Sequence, residues 1–212
     1  MASKIIGVLG LIGSGKDTLT QRLVTHHGYT QVSFADSLKD VCSAVFGWTR
    51  ELLEGDTDLS REWRDTVDEW WAERLGIPGF TPRRALQLIG TDVLRTHLSQ
   101  DIWVHRAHRS VQAIDGPVVI SDVRFQNEIE FMRSHGGSLI RVTRGPDPDW
   151  WPIATAANQG NPISQTLMTT VYASRHHSEW ASAGCPVDHL VTNDGTLSML
   201  YAQIDSLISR LP

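Results

Sequence analysis

With 212 residues, 41% of them hydrophobic, the chain is long enough for one slightly enlarged α/β domain whose core needs no covalent staples. A formal net charge of -5 argues against a protein whose main task is to hold a nucleic-acid backbone, since such surfaces carry a basic surplus, and leaves a small phosphorylated substrate served by local arginines. The only cysteines, Cys42 and Cys185, stand far apart without CxxC spacing, which excludes a disulfide framework or zinc knuckle and points to a reducing, cytoplasmic compartment.

Residues 5–9 read as a short, fully buried strand. It is too brief for the apolar core of a secretion signal, and no run approaches the roughly 18 apolar residues of a membrane span, so a soluble protein is expected. A glycine-rich turn follows, then a helix from near Asp17 with Leu19, Leu23 and Val24 on one face, ending by Gly28. A second strand is predicted over residues 31–34 and a helix over about 37–46. Between Ser60 and Leu75, the residues Trp63, Val67, Trp70, Trp71 and Leu75 recur at helical spacing, which predicts one continuous helix whose aromatic stripe faces a core rather than stacking on bases. Thr81-Pro82-Arg83 is a helix start with proline in the first turn, running to about Ile89. Residues 117–122 form a buried strand ending in the carboxylate of Asp122, residues 129–135 a helix, 138–142 a strand, 190–192 a last short strand and 197–211 a closing helix. This alternation implies a parallel sheet covered on both faces. The middle third and the segment from about Gly145 to Cys185 differ in texture and read as additions to that core.

Gly10-Leu11-Ile12-Gly13-Ser14-Gly15-Lys16 has the GxxxxGK spacing of a phosphate loop, with a strand before it and a helix after it. Glycines let successive backbone N–H groups turn toward phosphate oxygens, the helix N-terminus adds partial positive charge, and the lysine bridges the β- and γ-phosphates. Asp17 stands where Ser or Thr usually holds Mg²⁺, and the first hydroxyl is delayed to Thr18. Two roles fit Asp17: a carboxylate for the metal, directly or through water, or an acidic first-turn residue favoured by the helix dipole. Asp122, closing an apolar strand, has the form of a Walker-B carboxylate that organises Mg²⁺ or a phosphate-binding arginine.

Phosphoryl transfer positions two anionic phosphates against each other, so arginines are needed. Arg124 lies at the carboxyl end of the Asp122 strand, where ligands of open parallel sheets bind. Arg83 and Arg84 open a helix that also carries Gln87, whose amide suits a base edge. Arg141 and Arg144 flank the end of the next strand, before a Pro/Gly/Trp-rich stretch suited to closing as a lid. The competing reading for each arginine is a solvated or salt-bridged surface residue. His105, His108, His176 and His177 lack a carboxylate or cysteine at ligand spacing, so no metal set is expected there.

The sequence resembles the bacteriophage deoxynucleoside monophosphate kinases, relatives of the wider nucleotide kinase family. The likeness is carried by Gly13-Ser14-Gly15-Lys16-Asp17-Thr18, Phe34-Ala35-Asp36-Ser37-Leu38-Lys39, Arg83-Arg84-Ala85-Leu86-Gln87-Leu88-Ile89-Gly90-Thr91-Asp92 and Trp103-Val104. Further on it rests on Ser121-Asp122-Val123-Arg124 with Glu128, Arg141-Val142-Thr143-Arg144, and Val191-Thr192-Asn193-Asp194-Gly195-Thr196. The ArgArg-x-x-Gln-x-x-GlyThrAsp stretch is the most specific, and Asp after the loop lysine is a feature of this group.

The resemblance implies an α/β P-loop NTPase fold, a three-layer sandwich with a five-stranded parallel sheet flanked by helices. The core would comprise about 1–36, 112–145 and 186–212, with a helical monophosphate-binding insertion at about 37–111 and a lid at about 145–185. It places ATP on Ile12, Gly13, Ser14, Gly15, Lys16, Asp17, Thr18 and Arg141, with Asn193 and Gly195 beside the adenine, and Mg²⁺ near Asp17. It places the acceptor against Asp36, Lys39, Arg83, Arg84, Gln87, Asp122 and Arg124, with Trp103 near the base or sugar. Lys16, Arg124, Asp122 and Arg144 would carry the catalytic electrostatics. The partners would be ATP and a deoxynucleoside monophosphate, with no nucleic acid and no membrane; a homodimer is left open, and a phage-encoded chain would work in the host cytoplasm. Two alternatives remain at this level. One is a kinase of another small acceptor, of dephospho-coenzyme A or sugar-acid type. The other is a non-catalytic nucleotide switch, although Asn193-Asp194-Gly195 lacks the lysine of the NKxD pattern.

Overall fold

The computed structural model describes residues 5–211. In chain order the elements are β1 (Ile5–Leu9), α1 (Lys16–His27), β2 (Thr30–Val32), α2 (Asp36–Phe46), α3 (Asp58–Asp65), α4 (Glu69–Leu75), α5 (Pro82–Gln87), a π-helical stretch Leu88–Val93, α6 (Leu94–His97) and α7 (Ile102–Gln112). They continue with β3 (Val118–Ile120), α8 (Gln126–Ser134), β4 (Ser138–Thr143), α9 (Trp151–Asn158), α10 (Pro162–Thr170), α11 (His177–Trp180), β5 (His189–Thr192) and α12 (Leu197–Ile208). The chain divides into two compact units, one of Met1–Ser33 with Arg109–Pro212, the other of Phe34–His108.

The first unit holds a five-stranded sheet in the order β2-β3-β1-β4-β5, every pairing parallel. Its central strands β1 and β3 are wholly apolar and buried along their entire length, because helices cover both faces there, while the flanking strands β2, β4 and β5 also carry polar residues. On one side Leu19 and Leu23 of α1 and Leu200 and Ile204 of α12 pack on Ile6, Val8, Val119, Ile140 and Val142. Truncating one of these, such as Leu23, to alanine removes about 2–5 kcal/mol of stability. At the open edge, the Gln203 side chain accepts from Thr192 N–H at 3.3 Å and donates to Thr192 C=O at 3.0 Å. One side-chain amide thereby imitates a neighbouring strand at that residue.

Residues 145–185, read from sequence only as a variable or lid segment, fold as three helices of the first unit. Their apolar faces form a separate small core of Trp150, Ala154, Ala157, Met168 and Ala183, against which Leu11, Trp151 and Trp180 also pack. Asn161 caps α10 by accepting from Ser164 N–H at 3.0 Å, and prolines occupy the first turns of α9 and α10.

In the second unit the continuous helix expected from Ser60 to Leu75 is broken. Thr66 is extended, and Asp68 restarts the chain as α4, accepting from Trp71 N–H at 3.0 Å and from the Trp48 indole at 2.8 Å. That carboxylate satisfies a helix end and a buried indole at once, which outweighs helical continuity. The break also divides the aromatic stripe. Trp63 and Trp71 meet Trp48 and Phe46 edge-on at 5.9 and 5.1 Å, whereas Trp70 turns outward, 53% exposed, beneath the Arg74 guanidinium at 3.8 Å. The helix expected to end near Ile89 instead leaves α-geometry after Gln87 and runs on as the π-helical stretch. Gly90 packs there against Leu38 with no room for a Cβ.

Candidate active site

The glycine loop sits at the carboxyl end of β1, where the chain leaves to β2 on one side and β4 continues on the other, the switch point at which parallel sheets bind ligands. Gly10 has φ +149°, and a Cβ there would collide with the Val142 carbonyl oxygen and lie 2.7 Å from Ser14 Oγ. Gly15, the N-cap of α1, has φ +105°, and its Cβ would lie 2.5 Å from the Asn193 amide nitrogen. Only glycine fits both, for conformation and for space. The Lys16 ammonium folds back over the loop and donates to Leu11 C=O at 2.9 Å. Ser14 Oγ is buried without a hydrogen-bond partner. Asp17 is exposed in the first turn of α1, and Thr18 is half-buried beside it.

Asp122 follows β3, the neighbour of β1, and accepts from Ser33 Oγ at 2.7 Å; Gln31 donates to the adjacent Ser121 hydroxyl at 3.1 Å. The next residues are held by Glu128, which is 2% exposed and accepts the Arg124 and Phe125 N–H groups at 2.7 and 3.0 Å. A buried carboxylate at this helix start therefore fixes the backbone on which the exposed Arg124 side chain is mounted. Glutamate three residues into a helix is a readable capping signal; the Ser33 partnership, spanning 89 residues, has no local signature.

A recess of about 250 Å³ opens between the loop and the end of β4, lined by Leu11–Ser14 and Arg141–Asp147. Arg141 is paired with Asp147, and its guanidinium lies 4.2 Å from the Trp151 ring centre. Arg144 is exposed at the rim. Asn193 donates from its side chain to Ser14 C=O at 3.0 Å and from its backbone to Thr143 C=O at 2.8 Å, while Gly195 is exposed at the start of the following turn. Thus Ile12, Gly13, Ser14, Gly15, Lys16, Arg141, Arg144 and Asn193 gather around one loop. A larger groove, of about 450 Å³, runs along β5 and α12 but offers no phosphate-facing loop.

Within the second unit, Lys39 is paired with Glu54 at 2.5 Å and lies 3.9 Å from Asp36. Arg50 binds Asp40 at 2.7 Å and also reaches Glu54. Burial pushes the Glu54 pKa up, but the hydrogen bonds and charges of Lys39 and Arg50 leave it below the usual carboxylate range. Arg83 is paired with Asp65; exposed Arg84 donates to Pro78 C=O at 2.8 Å, and Gln87 is half-buried one turn on. Trp103 is 6% exposed, and its indole donates to Gly90 C=O at 2.9 Å, so it packs inside its unit and ties α7 to the π-helical stretch.

A five-stranded parallel sheet with a phosphate loop at its switch point defines the class: a P-loop nucleotide-binding α/β domain. The model of the family described as deoxynucleotide monophosphate kinase matches residues 72–149. A protein of Acanthamoeba polyphaga mimivirus named for that activity is 37% identical over 153 aligned positions, covering 66% of this chain and 74% of that one. The deoxynucleoside-5'-monophosphate kinase of Escherichia phage T5 is 27% identical over 196 positions, covering 69% and 75%. Among solved structures, TT1252 from Thermus thermophilus aligns over 100% of both chains with a TM-score of 0.49 and 17% identity. This chain belongs to the deoxynucleotide monophosphate kinase family.

Proposed function

We propose that the chain transfers the γ-phosphoryl group of ATP to the 5'-phosphate of a deoxynucleoside monophosphate, giving the diphosphate and ADP, and so supplies nucleotides for phage DNA replication in the host cytoplasm. The observation that carries this reading is the loop from Gly10 to Lys16, which excludes a Cβ at two positions and places an ammonium over itself, in a chain of this family. The donor's phosphates suit the residues present, because loop N–H groups, the α1 N-terminus and the unpartnered Ser14 hydroxyl form a cradle of donors.

In this reading no side chain acts as nucleophile, since the acceptor's own phosphate oxygen attacks in line. Lys16 neutralises charge developing between the β- and γ-phosphates, and Arg144 adds to it from the rim. Mg²⁺, when bound, would supply further neutralisation, with Asp17 and Asp122 as its carboxylates. Arg124, steadied through Glu128, takes the acceptor phosphate. Asp36, Lys39, Arg83, Arg84, Gln87 and Trp103 are assigned to the acceptor nucleotide or to shaping its site, and Arg141, stacked on Trp151, to the donor base.

The test is a coupled ADP-release assay with Mg-ATP against each deoxynucleoside and ribonucleoside monophosphate, with Lys16→Ala as control. ADP formation restricted to deoxynucleotides, with turnover lowered about a thousandfold in the variant, is the expected result. ADP release that no monophosphate raises above the variant's background would reject the acceptor assignment.

A further inference from the structure

The residue after β5 is tied to the phosphate loop. Asn193 has no freedom to wander, because its own N–H extends the β4–β5 ladder by donating to Thr143 C=O at 2.8 Å. From that fixed backbone its side-chain amide donates to Ser14 C=O at 3.0 Å and lies against Gly15, where a Cβ would come within 2.5 Å of it. In a trans peptide the C=O and the following N–H point in opposite directions. Holding the Ser14 carbonyl toward Asn193 therefore turns the Gly15 N–H the other way, away from Asn193. The neighbouring Asp194 carboxylate accepts the Gly145 N–H at 2.6 Å, at the rim of the recess. Two adjacent residues thus fasten the loop, the end of β4 and the turn that follows it.

We infer that Asn193 is a positioning residue of the phosphate loop, presetting the Gly15 N–H toward the donor's phosphates, and that it does not read the donor base. The inference rests on the ATP-donor reading above. Without the amide, the Ser14–Gly15 peptide is free to rotate and must be ordered by the ligand, so affinity falls for any polyphosphate whatever base it carries.

The experiment measures binding of inorganic tripolyphosphate, which has no base, by titration calorimetry, together with kcat/KM for ATP and for GTP. Wild type is compared with Asn193→Ala and with the near-isosteric Asn193→Asp, which sets a carboxylate against the Ser14 carbonyl. The expected result is tripolyphosphate affinity about 5–10-fold weaker in Asn193→Ala, the order of one lost hydrogen bond, and weaker still in Asn193→Asp. The ATP-to-GTP ratio of kcat/KM should not move, and the melting temperature should stay near wild type. If Asn193→Ala fails to fold, Asn193→Asp carries the comparison. Unchanged tripolyphosphate binding in the variants overturns the inference, as does a changed ATP-to-GTP ratio at constant tripolyphosphate affinity, which would make Asn193 a base reader. A wild-type protein that binds neither tripolyphosphate nor ATP overturns the donor reading itself and the inference with it.

Discussion

The two units handle charge in different ways. At the phosphate loop itself the groups proposed for the donor's phosphates are backbone N–H donors beside the Lys16 ammonium, on a backbone shaped by glycines with no room for a methyl group and by one amide from a distant strand end. In Phe34–His108, Lys39, Arg50 and Arg83 are side chains already engaged by carboxylates: Lys39 by Glu54, Arg50 by Asp40, Arg83 by Asp65. A backbone cradle is costly to disturb and forgiving of nothing. A guanidinium held by a surface carboxylate can be handed to a phosphate, because both partners offer the same pair of oxygens. Under the proposed function, the first arrangement suits the constant triphosphate of the donor and the second the phosphate of the acceptor.

The largest effect should come from breaking the backbone side of this contrast. Gly10→Ala combines a positive φ with a collision against the Val142 carbonyl, so turnover in the ADP-release assay should fall at least about a hundredfold while far-UV circular dichroism keeps its helical signal. Wild-type turnover in Gly10→Ala would mean that the loop is not the cradle described here. A smaller effect is expected on the side-chain side. Arg83→Ala should raise the KM for the acceptor about tenfold, leaving the KM for ATP in place, since one charge-assisted hydrogen-bonded contact is lost. A change confined to the KM for ATP would reverse the assignment of that arginine.

The same contrast explains what was legible in the sequence. The loop, its flanking strand and helix and the parallel sheet were readable because short-range spacing encodes them: GxxxxGK between an apolar pentamer and an amphipathic helix leaves few alternatives. The partners that complete the site were not, because they come from far along the chain. Ser33 meets Asp122 across 89 residues, and Asn193 meets Ser14 across 179. The burial of Trp103 and its indole hydrogen bond to Gly90 C=O could likewise not be read from spacing. The expected helix from Ser60 to Leu75 failed for a related reason. Periodicity recorded the apolar positions, but the competing cap at Asp68 depends on an indole from Trp48, twenty residues earlier. In residues 145–185 the alanines and prolines gave only weak periodicity, although together they build three helices around Met168.

The smallest expected effect concerns how the loop's helix is anchored at its other end. Asp205 on α12 accepts two hydrogen bonds from Arg22, at 3.0 and 2.6 Å, and lies 2.8 Å from His27 Nε2, with Arg22 also 4.6 Å from the Tyr201 ring centre. Hydrogen bonds from Arg22 and then His27 hold the Asp205 carboxyl well below its ordinary range. A carboxylate depressed in the folded state adds stability above its unfolded pKa of about 3.9 and loses it as pH falls toward the folded value. Asp205→Asn should therefore lower the melting temperature at pH 7 by about 2–4 °C, a modest figure because the group is over a third exposed. The difference from wild type should shrink steadily below about pH 4. Because this staple grips the last turns of α1, and the glycines that shape the loop are held by Val142 and Asn193, the KM for ATP at pH 7 should not change. A parallel rise in that KM would show that the cradle is held from both ends of α1, and that the rigidity of its backbone is shared with the helix it begins.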